Sequence, residues 1–278
     1  MGYPHRQSFP LQRHRCSKGS FITCAITCTA QINIIQQLLD PAIIGTTGIL
    51  KSIKAHAPTV KRVVITSSFA AIINPSKGPW PEHTYSEADW SPLTHEEALK
   101  DPAAGYRASK TFAEKAAWEF VEKEKPNFDV ATVNPPLVFG PIVHYLNSLD
   151  ALNTSNQRFG AVIQGKWKDE IAATGVYLWV DVRDVAEAHV KAAEVPEAGG
   201  KRFFTTAGYF SNAELVKVVQ KNFPEYKDVL PTDLSAGEKP SEYFGYDNSQ
   251  VRKVLGIKFK SFEESAVDTI KSLKEVGA

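Results

Sequence analysis

Tyr106 and Lys110 stand four residues apart in Tyr106-Arg107-Ala108-Ser109-Lys110, and a helix would set both side chains on one face. A phenol with a pKa of about 10 is a poor proton donor near neutrality, and a cation a few ångströms away lowers that value by stabilising the phenolate. So placed, Tyr106 suits general-acid work on a carbonyl oxygen. The spacing alone is weak, because a chain with nine tyrosines and abundant lysine produces it by chance. The surrounding elements decide whether the pair can act.

The pair lies in a predicted helix over residues 103–123, whose Phe112, Ala113, Ala116, Ala117 and Phe120 form an apolar face for a sheet. Upstream, Lys61-Arg62-Val63-Val64-Ile65-Thr66-Ser67-Ser68 reads as a buried parallel strand ending in hydroxyls. In open α/β sheets the ligand crevice lies at such carboxyl ends, so Ser68 can hold a substrate oxygen beside the tyrosine. Downstream, a strand beginning at Asp129 runs into Asn134-Pro135-Pro136-Leu137-Val138-Phe139-Gly140-Pro141, where the prolines fix the loop and leave an apolar wall. Before the first strand, Asp40 as N-cap and Pro41 at the first helical position open a predicted helix to residue 55. Residues 69–102 read mainly as loop, with Ser86-Glu87-Ala88-Asp89 spaced like a helix N-cap. His83 and His95 in that loop receive no role. Later, Asp181 and Asp184 read as a helix start rather than an acid/base pair, and Ser211 reads as a helix cap.

Val-Val-Ile-Thr-Ser-Ser, Gly-Tyr-Arg-Ala-Ser-Lys, Phe-Ala-Glu-Lys-Ala-Ala-Trp-Glu-Phe and Asn-Pro-Pro-Leu-Val-Phe-Gly-Pro together resemble the extended short-chain dehydrogenase/reductases. The likeness is closer to the NADPH-dependent aldehyde and ketone reductases of methylglyoxal type, related to dihydroflavonol reductase and cinnamoyl-CoA reductase. It runs from about residue 38 to the C-terminus. The resemblance implies an α/β fold: an incomplete Rossmann-type parallel sheet flanked by helices, with a smaller C-terminal substrate lobe. The expected division is a non-family arm over 1–31, a partial NAD(P)-binding core over 32–145, and a substrate lobe over 146–278 interleaved with returning core elements. It also implies catalytic Ser68, Tyr106 and Lys110, with Lys110 holding the nicotinamide ribose. Pro135, Val138 and Ser155 would flank the nicotinamide, and Ile73 and Leu137 would form the apolar substrate wall. The implied cofactor is NADPH and the implied partner a small carbonyl compound.

Reductases of that kind begin with a strand and a Gly-x-x-Gly-x-x-Gly turn that meets the cofactor pyrophosphate at a helix N-terminus. This sequence contains no such turn, and Gly45 and Gly48 fall in the predicted helix. The expectation is therefore a shortened reductase with impaired nucleotide binding. The alternatives are a non-catalytic remnant that acts by binding, and an NAD-dependent epimerase or dehydratase sharing the Tyr and Lys. A net charge of +1 without a basic stripe argues against a nucleic-acid partner. No apolar run approaches the ~20 residues that span a bilayer. Cys16, Cys24 and Cys28 are odd in number and lack a Cys-x-x-Cys pair, so free thiols, no metal and a reducing, cytoplasmic location are expected. The first 31 residues are basic, with no acidic residue before Asp40. A disordered arm is preferred there over a secretory or transit signal, and residues 21–27 are β-branched enough for one strand.

Overall fold

The computed structural model describes residues 33–146 and 148–276. The expectations for residues 1–31, including a strand at 21–27 and the cysteines, lie outside the described residues. A π-helical turn, Ile35–Leu39, runs straight into α1 (Asp40–His56). Asp40 is therefore not the N-cap expected from sequence: it is already helical, and its N–H donates to the Ile35 carbonyl five residues back. Pro41 has no N–H to offer, so the helical ladder can pass through it where the wider turn ends.

After α1 come β1 (Arg62–Thr66), a 3₁₀ turn at Phe69–Ala71, β2 (Thr84–Tyr85), α2 (His95–Ala98) and α3 (Pro102–Glu124). Asp101 caps α3 by accepting the N–H groups of Ala103 and Ala104 at 2.8 and 2.9 Å. Pro102 presets its first turn, and Lys125 ends it in the left-handed region at φ 42°. The Ser86 to Asp89 stretch starts no helix. Asp89 accepts the Ser86 N–H at 2.8 Å and closes a turn, while Thr84 and Tyr85 are committed to pairing with a strand near the C-terminus.

β3 (Asp129–Asn134) pairs in parallel with β1 from Arg62↔Asp129 to Thr66↔Val133. On its other side it pairs with β6 (Arg202–Phe204). Side chains alternate across β3. Val130 joins Leu50, Ala117 and Phe120 under α1 and α3. Ala131 and Val133 join Val185, Ala188, Phe203 and Val251 under α5 (Val182–Glu194) and α7 (Ser249–Leu255) on the opposite face. This helix, sheet, helix layering is the Rossmann-type arrangement expected. Among the described residues β1 pairs with β3 alone, so it forms an edge of this sheet. Its first residue, Arg62, grips Asp129 at 2.6 Å and donates to the carbonyls of Ala192 and Pro196, tying the sheet to the end of α5.

The second sheet joins β4 (Leu137–Phe139) and β5 (Leu178–Asp181) in parallel and adds β7 (Gly208–Tyr209) antiparallel. Around it pack α4 (Gln157–Ile163), α6 (Asn212–Asn222) and α8 (Phe262–Glu275). Phe139, Phe159, Trp179, Phe210 and Phe262 form the aromatic centre of this lobe. Asp181 and Ser211 cap α5 and α6 as their sequence positions suggested. β8 (Gly245–Tyr246) pairs with β2. Gly140, just after β4, sits at φ +127°, and a Cβ there would meet Val182 Cγ1 at 2.7 Å. Gly140→Ala is expected to destabilise the chain by about 1–3 kcal/mol, measured as a lowered urea midpoint.

Candidate active site

β1 and β3 deliver their carboxyl ends to one place, and α3 lies across them. The Ser67 N–H donates to the Val133 carbonyl at 2.8 Å and the Phe69 N–H to the Pro135 carbonyl at 2.9 Å, so the loop after β1 continues the sheet's pairing one step further. Ser68 is thereby fixed in extended backbone, with φ −162° and ψ 156°, and its hydroxyl caps the 3₁₀ turn by accepting the Ala70 N–H at 3.1 Å. Ser68 also lies near enough to the Tyr106 phenol to favour its ionised form. Tyr106 is 48% exposed although it lies on a helix packed against the sheet. Lys110, one turn on, is half-buried and pairs with no carboxylate among the described residues.

The electrostatics differ from expectation at one point. The phenol of Tyr106, though half exposed, is held above its ordinary pKa, not below it, because partial loss of water around the phenolate outweighs the opposing influence of Ser68. Burial also pulls the Lys110 ammonium below the usual lysine value.

The other residues singled out from sequence divide between two places. Pro135 is buried, Val138 is half-buried on β4, and the Val138 N–H donates to the Ser155 hydroxyl at 3.3 Å. Leu137 packs against the aromatic cluster around the second sheet. Ile73 instead packs on a separate cluster of Phe69, Ile72, Tyr85, Phe204 and Phe244. The two guessed wall residues thus belong to different hydrophobic clusters.

Sequence reasoning missed a buried carboxylate, Glu114, one turn beyond Lys110. It accepts from Arg202 Nε at 2.6 Å, Asn134 Nδ2 at 2.7 Å, Thr132 Oγ1 at 3.1 Å and Trp118 Nε1 at 3.3 Å, and also from the Ser67 hydroxyl. Its side chain is 1% exposed and that of Arg202 is 9% exposed. Arg202 in turn donates to the carbonyls of Glu87 and Asp89 and stacks over Trp90 at 3.7 Å. The available signal was a charge at i+4 and i+8 from Lys110 and Tyr106, on the face meant to be apolar. Beside this network a cavity of about 140 Å³ opens between α1, the end of β1 and α3, with Thr46, Thr66, Ser67, Lys110 and Glu114 in its wall. Among the described residues no group of three His, Cys, Asp or Glu side chains is arranged to hold a metal ion.

The profile of the NAD dependent epimerase/dehydratase family matches residues 22–205. The chain belongs to this family. Within the family it is 49% identical over 238 residues to ketoreductase azaE of Aspergillus niger, covering 85% of this chain and 69% of that one. It is 36% identical over 240 residues to the NADPH-dependent methylglyoxal reductase GRE2 of Saccharomyces cerevisiae, covering 84% of this chain and 70% of the other. The crystal structure of Gre2 with NADPH from Candida albicans superposes with a TM-score of 0.82 at 33% identity, covering 91% of this chain and 76% of that chain. In this epimerase/dehydratase member, then, the α/β fold and the resemblance drawn from the Tyr106 and Pro135 motifs agree with independent comparison.

Proposed function

We propose that this chain reduces an aldehyde or ketone to the alcohol at the expense of NADPH. The observation that carries the reading is Ser68, fixed at the carboxyl end of β1 near the Tyr106 phenol, with a half-buried cation, Lys110, one helical turn on that no carboxylate claims among the described residues. The 49% identity to a ketoreductase and the 36% identity to a methylglyoxal reductase support it. The NADPH fit is uneven. Lys110 is free to meet a ribose hydroxyl, and Pro135, Val138 and Ser155 offer an apolar wall backed by a fixed serine, as the nicotinamide half requires. For the pyrophosphate half, Gly45 and Gly48 lie inside α1, and among the described residues no Gly-rich turn links a strand to a helix.

When bound, NADPH supplies the hydride. The chain's own residues then have separable tasks. Ser68, locked by the sheet-like pairing of its loop, donates to the carbonyl oxygen and fixes its position. Tyr106, protonated at neutral pH, gives its proton to that oxygen as negative charge develops there. Lys110 stabilises the phenolate left behind. Ile73 and Leu137 are proposed to meet the apolar part of the substrate. Among the described residues no helix is long and apolar enough to cross a membrane, and we place the protein in the cytoplasm as a small-molecule enzyme without a nucleic-acid partner.

Product analysis tests the reading. Incubation with millimolar NADPH and a panel of aldehydes and ketones is expected to give alcohol and NADP in equal amounts. A substrate inverted at a carbon centre, or dehydrated, with no net consumption of cofactor would overturn it in favour of an epimerase or dehydratase.

A further inference from the structure

Lys110 and Glu114 are one helical turn apart, both line the same cavity, and opposite charges at that spacing ordinarily pair. They do not pair here. The carboxylate is turned instead toward Arg202 on β6, with Asn134, Thr132, Ser67 and Trp118 filling the rest of its hydrogen-bonding capacity. Arg202 is itself clamped: Nη1 donates to the Glu87 and Asp89 carbonyls, and Trp90 covers its face. A neutral core could have held α3 equally well, since a buried ion pair is a poor source of net stability.

We propose that Arg202 is a positioning residue: by capturing Glu114 it keeps that carboxylate off Lys110, so the lysine stays free to face Tyr106 and the cofactor ribose. The inference rests on the reading of Lys110 as the active-site cation. Around Lys110, α1 contributes Thr46 and the end of β1 contributes Thr66 and Ser67, all neutral. Tyr106 and Glu114 come from α3 itself. Glu114 is therefore the carboxylate in the cavity wall able to claim the lysine if Arg202 lets it go.

The arrangement makes a prediction that needs no turnover. The full chain is reductively dimethylated with ¹³C-formaldehyde, the Lys110 resonance is assigned by its loss in Lys110→Met, and its titration is followed by NMR. In Arg202→Met the released carboxylate is expected to raise the Lys110 midpoint by about one pH unit or more. Adding Glu114→Gln to that variant should return the midpoint to its original value, and Arg202→Lys, which keeps the charge, should move it less than Arg202→Met does. A folded Arg202→Met protein with an unmoved Lys110 midpoint overturns the proposal. If Arg202→Met does not fold, Arg202→Gln carries the test: it too should raise the Lys110 midpoint, and an unchanged midpoint overturns the proposal. Failure of these titrations would leave the product analysis untouched, and an epimerase result there would leave the titrations untouched.

Discussion

Tyr106→Phe is expected to lower carbonyl reduction by about 10²- to 10⁴-fold while leaving NADPH affinity nearly intact, because it removes a proton donor and keeps the ring. The measurement is kcat/KM together with NADPH binding on the same preparation; full turnover by the variant would sink the assignment. The pH profile follows from the directions of the two shifts. Reduction needs Tyr106 protonated, and its raised pKa keeps it so throughout the neutral range. It also needs Lys110 charged, and burial brings the loss of that charge to a lower pH than for a free lysine. The rate should therefore be flat through neutrality and fall on the alkaline side as these protons are lost. A rate that climbs steadily with pH would mean that the phenolate is the working form.

The second large effect concerns the cofactor. Against a relative that carries the Gly-rich turn, this 278-residue chain is expected to bind NADPH at least about a hundredfold more weakly. Each hydrogen bond to a charged group contributes about 1.5–3 kcal/mol, so two or three missing pyrophosphate donors forfeit on the order of 3–9 kcal/mol. At about 1.4 kcal/mol per tenfold, even the low end gives the stated loss. Titration calorimetry at physiological salt decides it. A micromolar or tighter constant would show that the chain holds the phosphates by other residues.

The layered sheet and the helix carrying Tyr106 and Lys110 were legible because their signals are local: an apolar run ending in Ser67 and Ser68, an apolar face at helical spacing from Phe112 to Phe120, and Asn-Pro-Pro after a strand. Asp181 and Ser211 were read correctly as caps for the same reason. Asp40 was misread because a capping residue followed by proline looks the same whether the preceding residues are extended or already wound in a π turn. Ser86 to Asp89 misled because its hydrogen bonds do form, but close a turn whose neighbours are taken by β8. Glu114 and Arg202 are separated by 88 residues. No periodicity argument could couple them, and Arg202 alone looks like a surface charge. The upward shift of Tyr106 depends on how much water the phenol keeps, which the spacing of two residues on a helix does not determine.

Arg62 and the carbonyl of Ala192 that it holds are 130 residues apart in sequence, and β3 likewise awaits β6 before both its sides are paired. Contacts of such separation slow folding, since loop closure comes before any gain from the contact. At about 5–20 residues per second of synthesis, the Ala192 carbonyl emerges on the order of ten seconds after Arg62. From the emergence of β3 until then, β1 and β3 are a nascent strand pair with unclaimed edges, and Arg62 holds Asp129 but lacks its backbone acceptors. The yield of folded chain should therefore respond to slower synthesis at low temperature and to holdase chaperones more than to changes at the finished protein's surface.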